Sequence, residues 1–162
     1  MNYKIIPLSR GLETIVDENM FEELSKHKWH IHDSRGKLYA YGYIRHLRRH
    51  VKMHRMIINA PSDKDVDHIN GDTLDNRKSN LRLCNQSQNQ ANRKMNKNNK
   101  SGYRGVHWDE QGRRWKAQIK VNGKKIGLGL FYDKNEAALA YNIAAKESFG
   151  EFASLNAVGI IV

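Results

Sequence analysis

The sequence is poor in several features that define common protein classes. Its 162 residues include one cysteine, Cys84, and two prolines. A single cysteine excludes an intramolecular disulfide framework and any zinc site built on paired cysteines. No apolar run approaches the roughly 20 residues that a membrane helix needs, and the N-terminus lacks the apolar core of a signal peptide. We therefore expect a protein of the cytoplasm with no membrane segment.

Acidic residues are scarce relative to basic ones. The chain has 28 Lys and Arg against 17 Asp and Glu, which gives a net charge of +11 and a pI near 9.8. Together with seven tyrosines and three tryptophans, this charge points first to nucleic acid as the partner. Charge alone does not separate DNA from RNA or from an anionic membrane.

Alternating and periodic segments predict an α+β fold. Residues 3–6 and 38–44 have the pattern of strands, and residues 17–24 and 53–58 have that of short helices. In the second half, Trp115, Ala117, Ile119 and Val121 alternate with polar residues and are followed by Asn-Gly, a strong hairpin signal. Residues 125–131 are expected to form the return strand and the alanine-rich segment 136–147 a helix. We expect the apolar tail 158–162 to add an edge strand or to pack on the core.

Five of the 17 carboxylates fall between positions 63 and 75. Two interpretations of this cluster stay open. It is either a polar loop rich in turns or, on so basic a chain, a place where a cation lies between the carboxylates. The members of the cluster are Asp63, Asp65, Asp67, Asp72 and Asp75.

The segment around this cluster carries residues suited to phosphodiester hydrolysis. Residues 66–69 and 80–84 are predicted strands, and the spacing of Ser87 and Gln90 predicts a capped helix starting near Ser87. Carboxylate and amide oxygens, here of Asp67 and Asn89, are hard ligands suited to Mg²⁺ or Mn²⁺. A neutral histidine such as His68 can take a proton from water. Adjacent residues of a strand point to opposite faces, so Asp67 and His68 can share a phosphate only if the strand ends or distorts there.

Residues 53–93 resemble the HNH endonucleases of the phage homing type. The resemblance is carried by Met-His-Arg, Val-Asp-His-Ile-Asn-Gly-Asp, Asp-Asn-Arg and Asn-Leu-Arg. The family's three letters fall on His68, Asn80 and Asn89, the last being Asn in place of His. The resemblance implies a ββα-metal fold with His68 as general base and with Asp67 and Asn89 holding one Mg²⁺ or Mn²⁺ ion. It also implies that Asn80 braces the loop and orients His68.

Residues 102–156 resemble an AP2 DNA-binding domain, which lays a three-stranded sheet on one helix and places the sheet in the major groove. Gly-Tyr-Arg-Gly-Val at 102–106 and Trp-Lys-Ala-Gln-Ile at 115–119 carry the resemblance. Gly127 and His107 depart from its pattern, so base preferences are not transferred. The resemblance implies DNA contacts from Arg104, His107, Arg114, Lys116, Gln118, Lys120 and Lys125.

We therefore expect three parts: an HNH domain at residues 1–93, a basic linker at 94–101, and an AP2-like domain at 102–162. The predicted protein is a monomeric, site-selective nuclease of double-stranded DNA in a bacterial or phage-infected cell. A non-catalytic DNA-binding regulator that uses the AP2-like domain is the alternative, and an RNA-binding protein is a third interpretation. Residues 1–52 are expected to form a supporting sheet that contacts DNA through Arg45, Arg48 and Arg49. His54 is expected either to pack under the motif or to contact phosphate.

Overall fold

The computed structural model describes residues 2–93, 95–96 and 98–159. Helices and strands are mixed along the chain, and the strands form several small antiparallel sheets, which confirms the α+β class. The chain divides into two compact units, Met1–Asn85 and Gln86–Val162. No helix among the described residues is long and apolar enough to cross a membrane.

The described residues of the first unit form seven strands and two α-helices. Strands β1 and β2 pair with each other, β3, β4 and β5 form a sheet in that order, and β6 pairs with β7. The strands are β1 (Tyr3–Pro7), β2 (Glu13–Asp17), β3 (Trp29–Ser34), β4 (Lys37–Ile44), β5 (Arg49–Lys52), β6 (Asp65–His68) and β7 (Leu81–Cys84). The helices are α1 (Glu18–Ser25) and α2 (Met53–Ile57).

One apolar core joins these elements. Val16, Leu24, Ile44 and Met53 come from β2, α1, β4 and α2, and all four are fully buried. Trp29 completes this layer, and its indole N–H donates to the carbonyl of Leu24 at 2.8 Å. The strands predicted at 3–6 and 38–44 and the helices predicted at 17–24 and 53–58 are therefore confirmed, with ends that differ by a residue or two.

The second unit has a three-stranded sheet and one long helix. Helix α3 (Gln86–Ala91) opens the unit, and β8 (Val106–Asp109), β9 (Arg114–Val121) and β10 (Lys124–Phe131) follow. Their order in the sheet is β10-β9-β8. Helix α4 (Lys134–Phe149) starts where the Asp133 carboxylate accepts the backbone N–H groups of Asn135 and Glu136.

The hairpin and the alternation predicted for this unit are both present. Asn122 and Gly123 have φ values of 47° and 82°, as the favoured two-residue hairpin turn requires. Along β9, Ala117 and Ile119 are buried, while polar residues occupy the positions between them. Ala117 packs with Val106 of β8 and with alanines of α4.

Two local predictions need correction or fall partly outside the description. Helix α3 starts at Gln86, so Ser87 lies inside it and is not its cap. The Ser87 hydroxyl instead accepts the backbone N–H of Asn122 at 3.0 Å, a tertiary contact that the capping-box pattern could not reveal. In the tail, residues 158–159 form no strand and Val158 packs on the core of the unit, whereas 160–162 lie outside the described residues. In the predicted linker, Asn99 and Ser101 hydrogen-bond with Tyr103.

Candidate active site

His68 is the last residue of β6, at the start of the loop that leads to β7. The register pairs Asp67 with Arg82 and His68 with Leu81. The chain turns immediately after His68, because the backbone N–H of Gly71 donates to the His68 carbonyl at 2.8 Å. Strand β6 therefore ends at His68. The end of the strand at this point is what would allow the adjacent residues Asp67 and His68 to act on one phosphate.

The His68 ring lies in a buried polar pocket. The side chain is 4% exposed, and its Nε2 lies 3.2 Å from Oδ1 of Asn76. The ring of His54, also buried, meets the His68 ring edge to face at 5.0 Å between centroids. The ring of Tyr39 lies 6.4 Å away. Of the two interpretations of His54, this position favours packing beneath the motif.

A chain of hydrogen bonds defines which nitrogen of His68 carries the proton. The Thr14 hydroxyl lies 2.7 Å from the carbonyl oxygen of Leu74 and must donate to it, since that oxygen can only accept. The same hydroxyl, 2.7 Å from the Asn76 amide, must then accept from its Nδ2. The Asn76 oxygen consequently faces His68 and accepts from Nε2–H. The neutral imidazole therefore has its lone pair at Nδ1.

Burial keeps this histidine neutral. It lowers the pKa of His68, against the opposing effects of the Asn76 hydrogen bond and of the carboxylates of Asp67, Asp72 and Asp75. Burial also lowers the pKa of His54, to about 2, with smaller contributions from His68 and two basic residues. A neutral imidazole is the form that can accept a proton, so the pocket suits a general base.

Asp67 is held by an arginine from the neighbouring strand. Both Nε and Nη2 of Arg82 donate to Oδ2 of Asp67, at 2.9 and 2.8 Å, and the carboxylate is largely buried. A carboxylate offers about four lone-pair sites, so this ion pair is compatible with further coordination.

The other carboxylates of the acidic cluster are used differently. Asp75 is buried and receives two hydrogen bonds from the Arg77 guanidinium, which lowers its pKa. Asp72 accepts the backbone N–H of Leu74 in the turn. Within the described ranges, no three His, Cys, Asp or Glu residues form a group that could hold a metal ion. Of the two interpretations of the acidic cluster, a turn-rich loop or a cation between carboxylates, the structure favours the turn-rich loop for Asp72 and Asp75.

Asn80 braces the loop between the two strands. Its Oδ1 accepts the backbone N–H of Asn70 at 3.0 Å, and its Nδ2 donates to the Asp75 carbonyl at 2.8 Å. The amide bonded to His68 belongs to Asn76, whose role sequence reasoning missed. Its position within Asp-Asn-Arg of the motif was visible, but no local pattern connects it to Thr14, 62 residues away.

Asn89, the last residue of the predicted metal pair, lies on α3 in the second unit and is half-buried. Its assignment as a ligand stays a prediction.

Comparisons with known proteins bear on this segment and on the whole chain. A family model described as HNH endonuclease matches residues 59–91. An uncharacterized HNH endonuclease of Acanthamoeba polyphaga mimivirus is 32% identical over 158 residues, which cover 96% of this chain and 81% of the viral protein. The chain belongs to the HNH endonuclease family. Protein 3.8 of Escherichia phage T7 is 34% identical over 80 residues, which cover 48% of this chain and 65% of the phage protein.

Family membership makes the chain a nuclease that hydrolyses phosphodiester bonds, and it implies DNA as the substrate. HNH nucleases typically use a divalent metal ion. The donor chemistry at His68 fits such an ion, because Asp67 beside it supplies carboxylate oxygen. These comparisons give no support to the alternative of a non-catalytic regulator.

The HNH endonuclease also carries the residues predicted to contact DNA in its second unit. Strand pairing and alternation place several of them on the sheet face opposite the buried Ala117 and Ile119. The residues on this outward face are His107, Arg114, Lys116, Gln118, Lys120 and Lys125.

Arg104 lies in the loop before β8 and not on a strand. Its guanidinium contacts the Ser154 hydroxyl at 3.2 Å, and it lines a cavity together with Gln118, Lys120 and Lys125. Arg114 lies 4.5 Å over the ring of Tyr132. The structure therefore places six of the seven predicted residues on one face of this sheet and Arg104 in a loop that contacts Ser154. The contact of all seven with DNA stays a prediction.

Proposed function

We propose that this HNH endonuclease cuts DNA at selected sites, with His68 as its general base. The observation that supports this role most directly is the bonding of the buried His68 ring. Because Asn76 accepts from Nε2–H, the lone pair is at Nδ1, and Nδ1 takes the proton of the attacking water. Asn80 contributes by holding the loop from which this pocket is built.

Asp67 and Asn89 would hold one Mg²⁺ or Mn²⁺ ion, as the family resemblance implies. When bound, the ion would stabilise the charge on the phosphate and on the departing 3′ oxygen. Arg82 contributes by fixing the Asp67 carboxylate in one orientation through two hydrogen bonds to Oδ2. As water adds to phosphorus, the bond to the 3′ oxygen breaks and leaves 5′-phosphate and 3′-hydroxyl ends.

Site selection is assigned to the outward sheet face of the second unit. Arg there can bind guanine bidentately and Gln can bind adenine, while Lys more often contacts phosphate. The AP2-like resemblance and the exposure of Lys116, Lys120 and Lys125 support this assignment. The division into an HNH part, a linker and an AP2-like part, the homing role and the monomeric state remain proposals. The viral origin of both relatives favours a virus- or phage-infected cell as the setting.

The decisive experiment measures plasmid cleavage with Mg²⁺ and with EDTA. We expect cleavage that EDTA abolishes, and a loss of about 10²–10⁴-fold in rate for His68→Ala, which is the usual contribution of a general base. Its affinity for DNA should stay close to that of the wild type. A His68→Ala protein that cuts at the wild-type rate would remove His68 from the mechanism, and cleavage insensitive to EDTA would remove the metal.

A further inference from the structure

The sheet of β3, β4 and β5 has an outward face with an unusual composition. Its inward positions hold the buried residues Trp29, Ile31, Ala40 and Ile44. Alternation along the three strands gives nine outward positions. All of them except Ser34 hold an aromatic or a basic side chain. None of the nine is a carboxylate. The aromatic members of this histidine–tyrosine face are His30, His32, Tyr39, Tyr41, Tyr43 and His50, and its two lysines are Lys37 and Lys52.

The aromatic rings of the face hold one another in place. Tyr41 stacks on His50 with centroids 5.1 Å apart and planes at 13°. His32 and His30 contact the same tyrosine at 4.9 and 5.4 Å. Such cross-strand pairs stabilise the sheet. They also fix the direction of imidazole and phenol groups, so that little side-chain entropy remains to be lost when a ligand binds.

This face reaches the candidate active site through Tyr39. The Tyr39 ring lies 5.4 Å from that of His54 and 6.4 Å from that of His68. Above it, the ammonium group of Lys52 lies 4.3 Å from the ring centroid. Burial lowers the pKa of this lysine, with Arg55 adding to the effect and Asp65 opposing it. A chain of basic and hydrogen-bonding groups thus begins beside the general base and continues across the sheet.

We propose that the histidine–tyrosine face binds the phosphate backbone of the duplex on one side of the bond that is cut. The inference rests on the proposed function, because it takes the phosphate attacked near His68 as its starting point. Two lysines and no carboxylate complement a polyanion. Imidazole N–H, phenol O–H and ammonium groups are donors that contact phosphate oxygens. The face would then position the substrate without reading its sequence.

Two matched pairs of variants test this proposal. Lys37→Ala and Lys26→Ala each remove one positive charge from an exposed residue of the first unit, but only Lys37 belongs to the face. Tyr43→Ala and Tyr3→Ala each remove a tyrosine of similar exposure, 51% and 55%, and only Tyr43 belongs to the face. Binding of a labelled DNA duplex to the full-length protein would be followed by fluorescence anisotropy in EDTA, across a range of salt concentrations.

We expect Lys37→Ala to make the slope of log affinity against log salt less steep by about 0.9, which corresponds to the loss of one phosphate contact. Tyr43→Ala should weaken binding by about tenfold or more, as the loss of one hydrogen bond to a charged group would. The controls Lys26→Ala and Tyr3→Ala should match the wild type. Face variants that bind like their controls would overturn the proposal, while Mg²⁺-dependent cleavage by the wild type would leave the proposed function intact. A wild-type protein that neither binds nor cuts duplex DNA would overturn both.

Discussion

The hydrogen bonds from Thr14 to His68 predict that a residue of β2, which does not take part in the chemistry, controls the rate of cleavage. Thr14 and Asn76 are 0% and 1% exposed, so water cannot replace a missing partner. In Thr14→Val, a methyl group replaces the hydroxyl at nearly constant volume. Two buried hydrogen bonds of 2.7 Å are lost, and the Asn76 amide keeps its position without the group that fixed its orientation.

The two effects have different magnitudes. Two lost hydrogen bonds at about 1 kcal/mol each, and a buried amide N–H left without an acceptor, should lower the free energy of unfolding by about 2–4 kcal/mol. The Asn76 amide can then turn and present its NH₂ group to His68, which moves the ring proton to Nδ1. If the preference for the original amide orientation falls by about 1.4 kcal/mol, the ratio of the Nε2–H tautomer of His68, which can act as the base, to the Nδ1–H tautomer falls about tenfold. The expected result is a kcat lowered by up to about tenfold, with KM unchanged.

Thr14→Ser is the matched control, because it keeps the hydroxyl and loses only a methyl group. It should retain most of the wild-type kcat at a temperature at which all variants are folded. Long-range ¹⁵N–¹H spectra of labelled histidines would report the tautomer directly, with the His68 signals assigned from a His68→Gln variant. A Thr14→Val protein that is destabilised but keeps both the wild-type kcat and the Nε2–H tautomer would refute the reasoning.

Three further predictions follow from single side chains. The pKa of His54 is about 2 in the folded state and near 6.5 in the unfolded state. The unfolded state therefore binds the proton first as pH falls, and chemical denaturation should show that stability falls by about 2.3 kcal/mol between pH 6.5 and 4.5. The loss should be smaller in His54→Gln. Asp67→Asn removes the negative charge that pairs with Arg82 and that is proposed to bind the metal ion. Half-maximal cleavage should therefore require a much higher Mg²⁺ concentration, and an unchanged concentration would contradict the ligand assignment. Burial raises the pKa of the Cys84 thiol to about 12, so a disulfide reagent at pH 8 should label it only after unfolding; rapid labelling of the native protein would contradict its burial.

The parts of the fold that sequence reasoning predicted are those encoded locally. Asn122 and Gly123 tolerate the positive φ that their turn needs, and the alternation of Ala117 and Ile119 with lysines defines the two faces of β9 without reference to the rest of the chain. The same holds for β6 and β7, which short apolar runs and a Gly-containing turn predicted at 66–69 and 80–84 and which lie at Asp65–His68 and Leu81–Cys84. Each of these signals lies within a window of about ten residues.

The parts that were missed depend on contacts distant in sequence. Ser87 has the spacing of a helix cap, but a backbone N–H 35 residues away uses its hydroxyl. Asp67 was expected to be a metal ligand, and its partner Arg82 follows only from the β6–β7 register. Nothing in the sequence near Asn76 indicates that its amide bonds to Thr14. Hydrogen-bond partners of this kind are chosen by tertiary packing, which no periodicity records.

The position of Thr14 gives the N-terminal strands a role in orienting the active site. Strand β2 is joined to the loop after β6 by backbone hydrogen bonds as well: Ile15 donates to Leu74 at 3.0 Å and accepts from Asn76 at 2.8 Å. These two bonds hold the segment that presents the Asn76 amide, and the Thr14 side chain then orients that amide. The motif of residues 59–91 supplies the base, whereas the proton position on that base depends on a strand more than forty residues earlier. A fragment that keeps the HNH motif but lacks β2 would therefore retain His68 without the partner that holds its proton on Nε2.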